Sequence, residues 1–113
     1  MKRMKRGEIW LVNLDPIIGR EQAGTRPALI ISTDGFNESG LELLIVCPLT
    51  SKHKGFPTHV DIKAGDSGLT MDSHIKVEDV KSISVKRFMK KIGKVDTKIM
   101  NKVEDILKKI FKI

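Results

Sequence analysis

The sequence predicts a mainly β fold carrying one helix: a small, curved or barrel-like antiparallel sheet with a C-terminal amphipathic helix. Three observations point there. Short apolar or alternating runs follow one another closely, turn residues separate them, and the apolar period changes from two to three-and-four near the end. Strands so close together leave no room for the crossovers that parallel neighbours require. The 113 residues suffice for one modest core, so residues 1–113 are expected to form a single domain. The chain has no internal repeat and no low-complexity linker.

The first element is Glu8-Ile9-Trp10-Leu11-Val12-Asn13-Leu14, apolar enough for a core strand and ended by the turn signal Asp15-Pro16. A polar loop follows, Gly19-Arg20-Glu21-Gln22-Ala23-Gly24-Thr25-Arg26-Pro27. Its two glycines let the backbone turn where bulkier residues would clash. Pro27 marks the change from loop to strand, because the residue before a proline is kept out of helical space. Residues 27–33 and 43–49 are Ile-, Leu- and Val-rich strands, and 34–40 is loop-like with a short helical turn. Residues 52–57 form a basic loop with one aromatic, Phe56. Residues 58–62, 73–77 and 80–83 alternate as half-buried strands do, and a last short strand is expected within 91–95. Finally Ile99, Val103, Ile106, Leu107, Ile110 and Phe111 recur at helical spacing behind Asp96 or Thr97 as N-cap. That apolar stripe should dock on the sheet.

Composition narrows the function classes. No run of eighteen apolar residues is present, which argues against a membrane partner. The basic start, Met1 to Arg6, is not followed by an apolar segment with a cleavage site, so the cytoplasm is expected. Cys47, the only cysteine, lies in an apolar strand and reads as a buried inert thiol. The net charge of +7 is uneven: residues 1–85 carry 11 Lys/Arg against 11 Asp/Glu, residues 86–113 carry 10 against 3. Such an excess suits a polyanion, nucleic acid first and an acidic protein surface second. His53, His59 and His74 are scattered, without metal-ligand spacing, so neither a metal nor another cofactor is expected. No phosphate-binding Gly-Lys-Ser/Thr loop and no serine-hydrolase elbow occur.

Four segments go further: RGEIWLVNLDP at 6–16, GREQAGTRPALIIS at 19–32, VCPLTS at 46–51, and Pro57-Thr58-His59-Val60. In order and spacing they resemble the MazF/PemK family of toxin endoribonucleases, strongly over the first half of the chain and more weakly to its C-terminal helix. The resemblance implies an SH3-like barrel. It also implies a toxin of a type II toxin–antitoxin system, a homodimer that cuts single-stranded mRNA at a short sequence. The expected reaction needs no metal and leaves a 2′,3′-cyclic phosphate and a 5′-OH. Its expected partner is a cognate antitoxin whose disordered acidic tail covers the RNA groove. The catalytic pair carried over is Arg26 and Thr50, with Glu21 as the acidic residue of the EQ element.

The chemistry of these residue types fits. Attack by a ribose 2′-OH on phosphorus requires a proton acceptor, stabilisation of the charged intermediate and a proton for the leaving oxygen. The planar fork of Arg26 matches phosphate oxygens, Thr50 offers a hydroxyl donor, and Glu21 can accept a proton. A guanidinium is a poor acceptor near neutrality, so Arg26 is assigned to charge stabilisation first and to the leaving oxygen second. The base stays open among Glu21, a histidine and water. RNA contacts are expected from the loops at 15–25 and 51–57: Gln22, Thr25, Ser51, Lys52, His53, Lys54 and Phe56, with His59 beyond them. Trp10 reads as core. The alternative is a non-catalytic SH3-like module that binds nucleic acid or protein, including a topoisomerase-poisoning toxin.

Overall fold

Among the described residues, seven antiparallel strands make one curled, open sheet with a helix packed on it. The structure, a computed structural model, describes residues 3–15 and 24–113. Its strands are β1 (Glu8–Asn13), β2 (Thr25–Ile30), β3 (Leu43–Thr50), β4 (His59–Ile62), β5 (Ser73–Lys76), β6 (Lys81–Ser84) and β7 (Phe88–Lys94). The helices are α1 (Asp34–Asn37) and α2 (Thr97–Phe111). Strand order is β4-β5-β3-β2-β1-β7, with β6 also on β3, and every pairing is antiparallel. No helix here is long and apolar enough to cross a membrane.

The observed boundaries lie mostly within a residue or so of the sequence reading and depart most from it in β2 and β7. Strand β2 starts at Thr25, before Pro27, because Thr25 and Arg26 pair with Asn13 and Val12 of β1. The ladder with β3 begins only at Ala28, so Pro27 sits where β2 has one neighbour and its missing N–H is tolerated. Strand β7 spans seven residues and begins at Phe88, earlier than expected. Two register shifts against β1 break its alternation, which hides it from a period-two search and bends it.

Strand β3 organises the sheet. One edge pairs with β2 through Val46–Pro48; the other is shared, with β6 along Leu43–Val46 and β5 at Leu49–Thr50. Alternation then sorts side chains to two faces. Ile9, Leu29, Cys47, Leu49, Ile75 and Val60 face one core, which α2 closes with Val103 and the flanking Ile99, Met100, Ile106 and Leu107. Asp96 caps the helix by accepting from the Ile99 amide at 2.9 Å. Trp10, Val12, Ala28, Ile30, Leu44 and Val46 face a second core, where Trp10 meets Phe88 edge-to-face at 6.1 Å. Burial pushes the Cys47 thiol up to about 12, with Asp79 and Glu78 adding to it, so it stays protonated and inert.

Two contacts hold the open sheet in its curl. The turn at Asp66–Gly68 lies directly on β7: a Cβ at Gly68 would stand 2.3 Å from the Ile92 carbonyl oxygen, one at Gly93 2.1 Å from that of Ser67. Only glycines allow so close an approach. The second contact is Glu8, 7 % exposed, whose Oε1 accepts from the Lys5 amide at 2.9 Å and the Trp10 indole at 3.0 Å. Its Oε2 meets Lys91 Nζ of β7 at 2.9 Å. Burial pushes the carboxyl up, but these donors outweigh burial and hold it below its ordinary value.

Gly93→Ala is expected to lose about 1–3 kcal/mol through overpacking against Ser67. A thermal melt equal to that of the parent would show that the turn is not packed there. Glu8→Gln keeps an acceptor for Trp10 but loses the charge facing Lys91, and should lose about 1–2 kcal/mol at neutral pH. Because the Glu8 value is lowered by folding, its contribution is complete above the unfolded value of about 4.3 and fades as pH falls through the folded value. Urea unfolding of parent and variant should therefore converge in acid and separate above it.

Candidate active site

The site is built on the ends of β2 and β3. Below it, a clip closes the β1–β2 hairpin: the Leu14 amide donates to the Gly24 carbonyl at 2.9 Å, and the Gly24 amide donates to Asp15 Oδ1 at 2.9 Å. Gly24 adopts φ +71°, the left-handed backbone that lets the chain turn back into β2. The Arg87 guanidinium adds bonds to the carbonyls of Asn13 at 2.9 Å and Asp15 at 2.6 Å. Glu21 and Gln22 lie outside the described residues.

Arg26 and Thr50 come together. Two residues beyond the Ala28–Pro48 pair, they stand at one level of adjacent strands. Both line a cleft of about 540 Å³ that Thr25 and Ser51 also border. Arg26 is half-buried, and Thr50 is 8 % exposed. The Thr50 hydroxyl oxygen accepts from the Lys52 amide at 3.2 Å, which orients its O–H as a donor. A guanidinium and a hydroxyl donor at one wall can bind two oxygens of a phosphate.

The other walls carry groups that the sequence did not single out. Lys90 and Lys91 of β7, with Thr70 and Met71 before β5, are part of that lining. The two lysines belong to the basic last quarter of the chain, whose charge is legible in the sequence while its place in the fold is not. No residue of α2 lines the cleft among those described.

The loop that follows β3 behaves as an accessible arm. Ser51, Lys52, His53, Lys54 and Phe56 are all exposed. Phe56 rests its ring on His59, edge-to-face at 5.4 Å, and leaves 55 % of its surface open. His59 stands apart from the other RNA-contact candidates: its side chain is only 3 % exposed and pairs with Glu78 at 3.0 Å. Thr58 donates to the same carboxylate at 3.0 Å. Burial pushes Glu78 up, but the bonds from His59 and Thr58 hold it below its ordinary value. His59 thus supports Phe56 from beneath.

The remaining histidines, distant in sequence, meet beside Thr50. His74 of β5 pairs with Thr50 on one side and Asp61 on the other. Its Nδ1 lies 2.7 Å from Asp61 Oδ1, and this bond holds the Asp61 carboxyl below its ordinary value. The His53 ring lies 5.0 Å from that of His74.

Comparison with known proteins bears on the family and the fold. The family model described as "PemK-like, MazF-like toxin of type II toxin-antitoxin system" matches residues 5–111. Endoribonuclease MazF9 of Mycobacterium tuberculosis is 36 % identical over 110 residues, covering 93 % of either chain. Among solved structures, MazF from Deinococcus radiodurans superposes with a TM-score of 0.89 at 24 % identity over the full length of both chains. An endoribonuclease in complex with its cognate antitoxin from a mycobacterial species gives 0.77 at 20 % identity, covering 100 % of this chain and 97 % of that one. With a family match spanning nearly the whole sequence and a fold to go with it, this chain belongs to the PemK/MazF toxin family.

Proposed function

We propose that the protein is the toxin of a type II toxin–antitoxin system, an endoribonuclease that cuts single-stranded mRNA in the cytoplasm without a metal. The observation that carries the reading is the meeting of Arg26 and Thr50 at one wall of a cleft bordered by Lys90 and Lys91. The scissile phosphate binds between the Arg26 fork and the Thr50 hydroxyl. Attack by the neighbouring 2′-OH places a second negative charge on the non-bridging oxygens, where Arg26 and Thr50 stabilise it. The 5′-oxygen leaves with a proton delivered by Arg26 in its second role, while Glu21 holds the proton taken from the 2′-OH, and a 2′,3′-cyclic phosphate remains. Glu21 is the proposed proton acceptor, and Gln22 belongs with the RNA contacts.

Sequence choice falls to the accessible arm after β3, with Ser51, Lys52, His53 and Lys54 on backbone and base edges and Phe56 stacking on a base. Thr25 contributes from the opposite side, and His59 acts through Phe56. The basic cleft also suits the acidic tail of an antitoxin, which would occupy the substrate's place; support comes from the relative solved with its cognate antitoxin. A homodimer is part of the proposal, in keeping with the large apolar side chains Leu41, Leu43 and Met89 left exposed.

The test is incubation of the purified protein with a long unstructured RNA in EDTA, followed by end-group mapping. Discrete cuts ending in cyclic phosphate are expected. Arg26→Ala should lower the rate by roughly 10²-fold or more with an unchanged melting curve. Arg26→Lys should also be poor, since a point charge does not reproduce the fork. Parental cleavage by Arg26→Ala would overturn the site, and RNA binding without cuts would favour a non-catalytic module.

A further inference from the structure

Beside the cleft, sharing only His53 with the RNA-contacting arm, stands a constellation with the donor set of a metal site. His74 is 7 % exposed and fixed in the middle strand of three, its register set by Thr50 on β3 and Asp61 on β4. Cross-strand partners share a face, so Thr50, His74 and Asp61 form a row. His53 reaches the same place from the arm after β3, its ring tilted 55° to that of His74. One donor atom from each of His53, Asp61 and His74 lies within 4.8 Å of the others.

We propose that His53, Asp61 and His74 bind a divalent zinc ion, and that the ion inhibits the enzyme by clamping the arm after β3. Two imidazoles and one carboxylate are a borderline donor set, which suits zinc rather than magnesium or calcium. Zinc bonds of about 2.0–2.2 Å put tetrahedral ligands roughly 3.3–3.6 Å apart, so donors that now stand as much as 4.8 Å apart must close by roughly 1.2–1.5 Å. His53 supplies that movement, because it is exposed and lies on a loop, while Asp61 and His74 sit on paired strands. The fourth position is left to water.

Closing the site draws His53 onto the sheet, and with it the segment that bears Lys52, Lys54 and Phe56. The arm then no longer adjusts to an RNA strand. The ion also stands next to Thr50, through the Thr50–His74 pair. The inhibitory consequence rests on the nuclease reading; the binding site does not.

The experiment is calorimetric titration of zinc chloride into metal-free protein, run in parallel with RNA cleavage. One ion per chain is expected, with His53→Ala and Asp61→Asn each weakening binding by roughly tenfold or more. His53 is exposed, so His53→Ala should melt as the parent does; Asp61→Asn keeps an oxygen acceptor for His74 but loses the charge, and should melt slightly lower while remaining folded. Cleavage should fall as zinc saturates the site and return when EDTA is added. Absence of binding, or equal binding by the parent and both variants, would overturn the site. Binding without loss of cleavage would overturn the clamp and leave the nuclease reading standing. A metal-free protein that cuts no RNA would overturn the nuclease reading, while the isotherms would still decide the site.

Discussion

The architecture depends on one strand having different neighbours along a single edge. β3 is eight residues long, and its second edge passes from β6 to β5 between Val46 and Leu49. A sheet that divides in this way must curl, since two strands diverge from the same edge while β2 holds the opposite one. The point of divergence lies just before Thr50. Placement of the hydroxyl beside Arg26 and His74 therefore follows from backbone pairing rather than from the loops around it.

The charged residues divide between structure and chemistry. Within the basic quarter of the chain, Arg87 fixes the hairpin base below Arg26, and Lys91 answers the buried carboxylate of Glu8. Arg6 joins the N-terminal turn to the Ile31 carbonyl and to Glu104 of α2. An overall charge of +7 is thus not one uniform attractive surface. Part of it is tied to specific acceptors, and part remains along the cleft.

Much of the fold was legible in the sequence because local pattern and tertiary demand agree. Apolar runs gave β1 and β3, helical spacing gave α2, and Asp96 was among the named caps. β7 was legible only in part, since its bulges break the alternation that reveals a strand. In the site, the motif residues Arg26 and Thr50 proved to be neighbours. Lys90, Lys91, Thr70 and Met71 were hidden, because strand order alone brings them to the cleft. The meeting of His53, Asp61 and His74 was hidden for the same reason: a metal-ligand search looks for close spacing along the chain, and these ligands converge through strand register.

The contact between Gly68 and Gly93 bears on how the cleft wall can be rebuilt. Thr70 and Met71 follow it by two and three residues and stand on the cleft wall, so their height above the sheet is set by that contact. A grafted recognition loop has to enter after Gly68 and rejoin before Ser73, where β5 begins. Within that window Thr70 and Met71 are open to exchange, whereas Leu69 is buried in the core and Asp72 accepts from the Ala64 amide; a graft that replaces either glycine moves the wall itself. The donor sequence therefore matters less than where it is cut.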